Sequence, residues 1–472
     1  MTTLRRSVCA CAALILFISS ANSLAVEPAR VVAFTGQQAP DAPAGALYNG
    51  INGVLIDDRG RATIYGDLMG TGVIIPDNAQ AVWAEIGSAP LHVLARNGFP
   101  APGTASGVNF FGVFPNLGPS NQIVIFGDLT GPGIDNSNLQ GLWSTAPGAL
   151  SLIARRSFQA DDTPAGTLWS QFGVPAINRS GRIAFYGTLS GVGIDLNNDR
   201  GVWAQDSSGS LKLLARDGSH APGTTDPGDH FTDLHNTVMN DAGKCAFYGR
   251  VSGPGVTATN RFGVWAGDSS GLVIVARAGD QAPGTEPGIT FANFGDPDID
   301  AAGDVCFSAT LTGAGVDPTN DTGIWETLNG SLTLVARKGD AAPGLSVTAL
   351  FSSFVGQPIV SAGGRVAFSA TLAGASITTN NDEGLWAGSP GALVVVFREG
   401  SQAPGTPVNT LFGSPSTFAM NPAGDVVFFA SLAGLGVTAG VDDQSIWLRH
   451  SDGTFELTAR TGEVVTLAQG DA

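Results

Sequence analysis

Hydrophobic and polar positions alternate in short runs along most of the chain, and the third repeat shows the plan. Apolar runs at Trp169–Ile177, Arg182–Leu189, Gly201–Ala204 and Leu211–Arg216 are separated by turn-forming residues. Short runs bounded by Gly, Asn, Asp and Ser, without a helical period, are typical of antiparallel strands. The pattern therefore predicts four short strands that form one small sheet.

This unit recurs seven times, with a tryptophan in the third strand and an arginine at the end of the fourth. The tryptophans, 60 to 62 residues apart, are Trp83, Trp143, Trp203, Trp265, Trp325, Trp386 and Trp447, and the arginines are Arg96, Arg155, Arg216, Arg277, Arg337, Arg398 and Arg460. One small sheet cannot bury both of its faces, but seven packed radially can. We therefore expect an all-β fold, a seven-bladed β-propeller over residues 47–462. A parallel solenoid would need shorter turns, and about 60 residues are too few for separate sandwich domains.

The first 25 residues have the pattern of an export signal. Arg5 and Arg6 precede an apolar run, Val8–Ile18, and small residues lead to Ala25. That run is shorter than the ~20 residues that a membrane-spanning helix needs. We expect a secreted protein, extracellular or at the cell surface, with no transmembrane segment in the mature chain.

The segment 26–46 contains an apolar run that resembles the fourth strand of a unit whose front is missing. Val31–Phe34 is followed by the Ala-Pro punctuation that ends the full repeats. A propeller must join its first and last blades, because an open strand edge promotes association. We expect Val31–Phe34 to close the ring beside the strand that contains Phe455 and Leu457, and residues 463–472 to form a C-terminal tail.

Composition narrows the function classes. The net charge is −17, which argues against nucleic acid or an anionic membrane as the partner. Hydrophobic residues make up 43% of the chain, enough for a core, and 65 glycines suit a turn-rich protein. Cys245 and Cys306 are expected to be small buried thiols, although a disulfide is an alternative. The expected partner is an extracellular protein or glycan, bound by a monomer.

Closely spaced oxygen ligands make two loops candidates for calcium. Asp195, Asn197 and Asp199 form one set, and Asp317 and Asp321 belong to the other. Neither loop has the glycine at the sixth position or the closing glutamate of an EF-hand. Each also contains the Asn that stands five residues before a repeat tryptophan, a residue that caps turns. We therefore favour turn capping over metal binding and expect no cofactor.

Three other groups could carry chemistry. Asp296, Asp298 and Asp300 could bind a cation, but solvated carboxylates are the favoured interpretation. The segment Asp229–His235 contains two histidines and two carboxylates, but His235 and Asp233 alone would be too few ligands for zinc. We therefore expect these histidines to lie in a surface loop. Gly267–Gly271 matches the G-x-S-x-G string of hydrolases, but its place in the repeat predicts a hairpin rather than a strand-to-helix elbow.

The turn after the first strand carries the most specific pattern. It reads Asn178-x-x-Gly181-x-x-Ala184-Phe185, it recurs at Asn240 and Gly243, and weaker copies occur in the other repeats. Over residues 30–462 the chain resembles a family of secreted bacterial tandem-repeat proteins defined by an NxxGxxAF repeat, whose members carry varied C-terminal anchors. The resemblance implies export and a repeat fold, and it implies no activity. No such anchor segment is recognised before Ala472.

The repeated arginines and tryptophans can be interpreted in two ways. A ring of arginines could hold an anion in a channel, but repeated ties between blades to a carboxylate or carbonyl are favoured. The tryptophans are expected to be apolar plugs between blades. No catalytic set is recognised. The favoured function is a non-catalytic binding or structural module, with a polysaccharide-acting propeller enzyme or a calcium-dependent adhesin as alternatives.

Overall fold

The computed structural model describes residues 31–463 except 58–59, 87–88, 118–121, 146–148, 329, 346–347 and the side chain of residue 236. The candidate signal at 1–25 and all but the first residue of the tail lie outside the described residues. The chain is an all-β, seven-bladed β-propeller with four antiparallel strands per blade, as the sequence predicts. Among the described residues there is no helix, and so none that could cross a membrane.

In the first four blades, the strands pair in the order in which they follow one another along the chain. Blade 1 comprises β1 (Ala46–Ile56), β2 (Ala62–Gly70), β3 (Gln80–Glu85) and β4 (Leu91–Arg96); blade 2 comprises β5 (Asn109–Leu117), β6 (Ile123–Thr130), β7 (Gln140–Ser144) and β8 (Ser151–Arg155); blade 3 comprises β9 (Thr167–Phe172), β10 (Ala176–Ile177), β11 (Ile183–Gly191), β12 (Arg200–Gln205) and β13 (Leu211–Arg216); blade 4 comprises β14 (His230–Met239), β15 (Cys245–Ser252), β16 (Phe262–Asp268) and β17 (Gly271–Arg277).

The last three blades follow the same plan. Blade 5 comprises β18 (Thr290–Phe294), β19 (Asp298–Ile299), β20 (Val305–Thr312), β21 (Thr322–Leu328) and β22 (Ser331–Arg337); blade 6 comprises β23 (Leu350–Ser361), β24 (Arg365–Ala373), β25 (Glu383–Gly388) and β26 (Val394–Arg398); blade 7 comprises β27 (Thr410–Met420), β28 (Val426–Gly434), β29 (Gln444–Arg449) and β30 (Phe455–Arg460). In blades 3 and 5 the first strand is split into two pieces, and both pieces pair with the second strand.

The described residues form two compact units, one within 31–276 and the other within 277–463. The first unit contains blades 1–4 and the second contains blades 5–7. Within each unit, a blade packs its first strand against the preceding blade, as β23 does against β19 and β20. Within a unit, burial of sheet faces between neighbouring blades supplies the core that a single small sheet lacks.

All seven repeat tryptophans are fully buried. Five of them, in blades 2, 3, 4, 6 and 7, lie in clusters with residues of the preceding blade. Trp265 shares a cluster with Val202 and Ala215 of blade 3, and Trp386 shares one with Cys306 and Ile324 of blade 5. These indole rings therefore occupy the core between adjacent blades.

The indole N–H groups have a repeated partner. Trp325 Nε1 donates to the carbonyl oxygen of Pro283, 3.0 Å away, in the Ala-Pro-Gly loop before its own blade. A proline carbonyl accepts the same bond in blades 1, 2, 4 and 6, and the carbonyl of Asp161 accepts it in blade 3. In the last blade Trp447 donates to Ser445 Oγ instead. A Cβ at Gly323 would lie 2.6 Å from the Trp325 ring, so glycine there leaves room for the indole.

The repeat arginines tie loops inside a single blade. The guanidinium Nε donates to the main-chain carbonyl of the Asn or Asp that stands five residues before the tryptophan; the pairs are Arg96–Asn78, Arg155–Asn138, Arg216–Asn198, Arg337–Asn320, Arg398–Asn381 and Arg460–Asp442. The sequence predicts that these hydrogen bonds tie neighbouring blades together, and this prediction is wrong. They lie within one blade because the end of the fourth strand is adjacent to the loop between the second and third strands.

The N-x-x-G pattern is a side-chain-capped turn. Asn178 Oδ1 accepts hydrogen bonds from the backbone N–H groups of Ser180 and Arg182, and Gly181 has a φ of +79°. Asn178 Nδ2 also donates to the carbonyl of Asn240, the equivalent residue of the next blade, at 3.1 Å. The motif therefore has a structural role, because it closes a turn and links two blades.

The N-terminal segment does not form the strand that its sequence suggests. Val31–Phe34 has no strand assignment, and Val32 and Ala33 pack against the blade 1 core that contains Tyr48 and Trp83. Each of the seven sheets is built from strands of its own repeat. Ring closure beside Phe455 and Leu457 stays a prediction.

Replacing Trp325 separates the two contributions of this residue. Trp325→Ala should lower the free energy of unfolding by ~3–5 kcal/mol, because it removes a large buried ring. Trp325→Phe keeps most of the apolar surface but loses the bond to Pro283, so its loss should be smaller, about 1–3 kcal/mol. Denaturant unfolding of both variants measures this. An alanine variant as stable as the wild type would show that the ring is not part of the core.

Candidate functional site

The seven repeats share one framework but differ at a few positions. The first residue of the third strand is Gln80, Gln140, Arg200, Phe262, Thr322, Glu383 or Gln444, and the residue after the repeat arginine is Asn97, Arg156, Asp217, Ala278, Lys338, Glu399 or Thr461. Side chains that vary on a constant framework are where a repeat protein places its specificity.

One boundary, between blades 3 and 4, gathers more ionisable side chains than its repeat neighbours. We define the boundary cluster as Tyr186, Asp199, Arg200, Asp217, Asp233 and His235. Arg200 begins β12, and its Nη1 donates to Asp233 Oδ1 on the first strand of blade 4. Arg200 Nε also lies 3.9 Å from Asp199 Oδ1. The guanidinium therefore links the two blades through a carboxylate.

His235 extends the cluster toward solvent. Its Nε2 lies 3.6 Å from Asp233 Oδ2, its side chain is 45% exposed, and its ring centre lies 4.8 Å from that of Tyr248. Tyr248 in turn stacks on Phe262 at 5.9 Å. The sequence predicts that this histidine lies in a surface loop. It lies instead on β14, because Asp229–His235 runs directly into the first strand of the blade.

Asp217 lies beneath this surface and is only 2% exposed. Neither of its carboxylate oxygens has a hydrogen-bond partner. Burial raises the pKa of Asp217 to about 7, Arg200 opposes the rise, and Asp233 and Asp199 add to it. Burial also raises the pKa of Tyr186. Asp217 is therefore a carboxyl group that can take up a proton near neutral pH.

The boundary cluster can bind a polar ligand from one accessible face. The guanidinium donates, the carboxylate of Asp233 accepts, the imidazole of His235 can do either, and Tyr248 offers an aromatic surface. Asp233 and His235 also form the kind of pair that orients an imidazole for proton transfer. Sequence reasoning missed Arg200 and Asp217, although their departure from the glutamine and asparagine of blade 1 was a usable signal.

The two candidate calcium loops commit their oxygens to the turns themselves. Asp195 Oδ1 accepts the N–H of Asn197 at 2.8 Å, and Asp317 Oδ1 accepts the N–H of Thr319 at 2.7 Å. Asp321 Oδ1 lies 3.1 Å from Lys338 Nζ. Within the described part of the chain, no three His, Cys, Asp or Glu side chains are placed to hold a metal. Weak calcium binding at these loops stays a prediction.

The acidic run in blade 5 is not a solvated patch. Asp300 is 3% exposed, and Asp298 Oδ2 accepts the N–H of Val360 at 2.9 Å. Burial raises the pKa of Asp298 to about 6. Asp296 alone is exposed. The expectation of solvated carboxylates is wrong for Asp298 and Asp300, because β19 packs against β23 of the next blade.

Two further interpretations can be compared with the structure. The G-x-S-x-G string lies in the hairpin between β16 and β17, where Asp268 Oδ1 accepts the N–H of Ser270. It therefore forms no strand-to-helix elbow. Cys245 and Cys306 are both buried free thiols, as the sequence predicts.

Comparison with known families gives one decisive match. A family model described as a family of unknown function, DUF7453, matches residues 19–341 and 287–472. The chain belongs to the DUF7453 family. The NxxGxxAF resemblance and an anchor type stay predictions for this DUF7453 protein. No curated protein sequence matches it.

Solved structures with similar folds are distant from the DUF7453 protein. A puromycin hydrolase is 11% identical, with a TM-score of 0.39, over 88% of this chain and 54% of the other. The propeller domain of the Pyrococcus furiosus Trilobed protease is 10% identical (TM-score 0.39; 74% and 85% covered), and the polysaccharide lyase Uly1 is 8% identical (TM-score 0.38; 82% and 87% covered). The chain thus spans about half the length of the puromycin hydrolase that it matches.

Replacing Asp217 by the asparagine that blade 1 has at Asn97 should stabilise the protein at high pH. The pKa of Asp217 in the folded protein, about 7, exceeds its ordinary value of 3.8. The free energy of unfolding therefore falls as the pH rises from about 3.8 to about 7. Asn cannot ionise, so the stability of Asp217→Asn relative to the wild type should be about 1–3 kcal/mol greater at pH 8 than at pH 5. Thermal unfolding at both pH values measures this, and Asp296→Asn controls for the lost charge. A difference independent of pH would contradict the assignment.

In two other blades, threonine stands at the position of Asp195 and Asp317; these residues are Thr257 and Thr378. The Thr257 hydroxyl accepts the N–H of Thr259 at 3.3 Å, so threonine can cap the same turn. The double variant Asp195→Thr/Asp317→Thr should therefore keep the wild-type response of the melting temperature to calcium and to chelator. A calcium response that is present in the wild type and absent from this variant would show that the loops bind calcium.

Proposed function

We propose that this DUF7453 protein is an exported glycan-binding propeller and that the boundary cluster is its binding site. The observation that carries the proposal is the accessible group of Arg200, Asp233 and His235 beside the Tyr248 ring. Sugars present hydroxyl groups to hydrogen-bonding side chains and C–H faces to aromatic rings, and this arrangement offers both. The export pattern at 1–25 supports an extracellular ligand.

The charges of the site favour a neutral glycan over a strongly charged one. Arg200 is engaged by Asp233 and lies near Asp199, so its charge is compensated locally. The carboxylates outnumber the single guanidinium, and the whole chain has a net charge of −17. An anionic polysaccharide would be repelled at long range, whereas hydroxyl groups can share these donors and acceptors without burying an unpaired charge.

A second candidate is an enzyme that acts on a polysaccharide. The observation that favours it is the Asp233–His235 pair, with His235 Nε2 3.6 Å from the carboxylate and nearly half of its side chain exposed. In this candidate His235 transfers the proton and Asp233 orients it.

Variants that restore the repeat consensus test the binding site. Arg200→Gln gives the residue of blades 1, 2 and 7, and His235→Asn gives that of Asn52 in blade 1, so the fold should tolerate both. A glycan array with the wild type identifies a neutral ligand, and calorimetry then compares the variants. We expect each substitution to weaken binding at least ~10-fold, about 1.4 kcal/mol.

A matched control is Thr322→Gln, which makes the same consensus change at the start of β21 in blade 5. It should bind like the wild type. Unchanged affinity in both Arg200→Gln and His235→Asn would exclude the boundary cluster, and the absence of any bound glycan would contradict the proposed function. New reducing ends released from a bound polysaccharide by the wild type, but not by His235→Asn, would favour the enzyme.

A further inference from the structure

The first strand of blade 2 presents an exposed aromatic ring at the boundary with blade 1. Phe114 on β5 stands at the position that His235 holds in blade 4, and it is 44% exposed. The same position is Asn52 in blade 1 and Ser416 in blade 7. The fold therefore does not require a large apolar side chain here. An exposed aromatic ring that the fold does not require is a candidate contact for a ligand.

Blade 1 holds this ring in place. The ring centre of Phe114 lies 5.9 Å from that of Tyr65 on β2, and the two rings are tilted by 54°. Tyr65 in turn packs against a core cluster that includes Val113 and Trp143 of blade 2. A Cβ on Gly112 would lie 3.2 Å from the Phe114 ring, so glycine lets that ring lie close to its own strand. We call Phe114 and Tyr65 the aromatic platform.

Polar side chains of blade 1 lie beside the aromatic platform. Gln80, at the start of β3, donates from Nε2 to Tyr65 Oη at 3.0 Å. Asp67 pairs with Gln80 across the neighbouring strands, and its Oδ2 accepts a hydrogen bond from Asn52 Nδ2 at 2.8 Å. Asp67 follows Tyr65 by two residues, so alternation along β2 places both on the same face of the sheet.

These contacts leave hydrogen-bonding capacity for a ligand. The Tyr65 hydroxyl accepts from Gln80, so its own proton can be donated elsewhere. Burial, and then the charge of Asp67, raises the pKa of Tyr65, which keeps the phenol protonated. Among the described residues, no donor occupies Asp67 Oδ1 or the amide oxygens of Gln80 and Asn52. One donor and three acceptors therefore lie around the platform.

We propose that Phe114, Tyr65, Asp67, Gln80 and Asn52 form a second saccharide site, in which the C–H face of a neutral sugar ring stacks on Phe114. Tyr65 donates to one sugar hydroxyl group, and Asp67, Gln80 and Asn52 accept from others. The ligand class rests on the proposed function. The residues do not, because none of them belongs to the boundary cluster.

The chemistry of the second site favours a neutral sugar. A sugar ring has an apolar face and hydroxyl groups at its edge, and the site has an exposed ring with acceptors beside it. Its five side chains include the carboxylate of Asp67 and no cation, so an acidic sugar would meet a like charge without compensation. Both saccharide sites lie in the unit of blades 1–4, at positions where the repeats differ.

Calorimetry of the full-length protein with cellohexaose, laminarihexaose, xylohexaose and mannohexaose tests the second site. Phe114→Asn introduces the residue of blade 1 and removes the stacking face, and Asp67→Thr introduces the residue of blades 3, 5 and 6 and removes the carboxylate. We expect each variant to lose at least ~10-fold in affinity at this site. Phe114→Tyr keeps the ring face, so it should retain most of the affinity that Phe114→Asn loses.

Phe158→Ser is the matched control. It removes another exposed phenylalanine and introduces the residue that stands at Ser219 and Ser401 in other blades, so it should bind like the wild type. The second site is overturned if Phe158→Ser loses as much affinity as Phe114→Asn. It is also overturned if the wild type binds none of these hexasaccharides.

Comparison with Arg200→Gln separates the second site from the boundary cluster. Binding that is lost in Phe114→Asn and kept in Arg200→Gln supports the second site and counts against the cluster. Binding that is kept in Phe114→Asn and lost in Arg200→Gln overturns the second site and leaves the proposed function intact. Loss in both variants supports one saccharide in contact with both sites, and loss in neither overturns the second site. If Phe114→Asn does not fold, the same comparison with Asp67→Thr decides.

Discussion

Burial of sheet faces between adjacent blades is the constraint on which this structure depends. A four-stranded sheet of some 50 residues cannot form a core alone, so every blade requires an adjacent one. The repeat tryptophan meets that requirement at the boundary of two blades. Its ring fills the gap, and its N–H donates to the loop that precedes the blade, as in Trp386 and Pro343. A buried indole without that carbonyl would leave an unsatisfied donor in the core.

The same constraint divides the positions of each repeat into those that maintain the fold and those that are free to vary. Most of the repeated Trp, Arg and Asn side chains form hydrogen bonds within the repeat framework. Arg216, for example, spends its Nε on the carbonyl of Asn198. Chemistry is left to the positions that differ from blade to blade. Arg200 and Asp233 illustrate this, because they connect two blades at a boundary where blade 1 has glutamine and glycine at the equivalent positions.

Buried acids mark the places where one blade departs from the repeat. Asp217 and Glu326 both lie in boundaries between blades, both lack hydrogen-bond partners, and burial raises the pKa of each. Their surroundings differ. Asp217 lies in the field of Arg200 as well as of two aspartates, whereas Asp304 and Asp300 add negative charge around Glu326. Asp217 therefore has a cationic neighbour, whereas the charged neighbours of Glu326 are acids.

The sequence by itself determined the architecture, because blade number, strand order and turn positions depend on local periodicity that any repeat reveals. It also predicted the hairpin at Gly267–Gly271 and the buried thiols, since repeat register alone settles them. What it could not determine is which side chains from adjacent blades meet. Asp298 and Asp300 look solvated in isolation and are buried against blade 6, and Arg200 meets Asp233, 33 residues later, only when two blades pack together. The tertiary structure decided these points because burial and electrostatic pairing depend on neighbours that are distant in the chain.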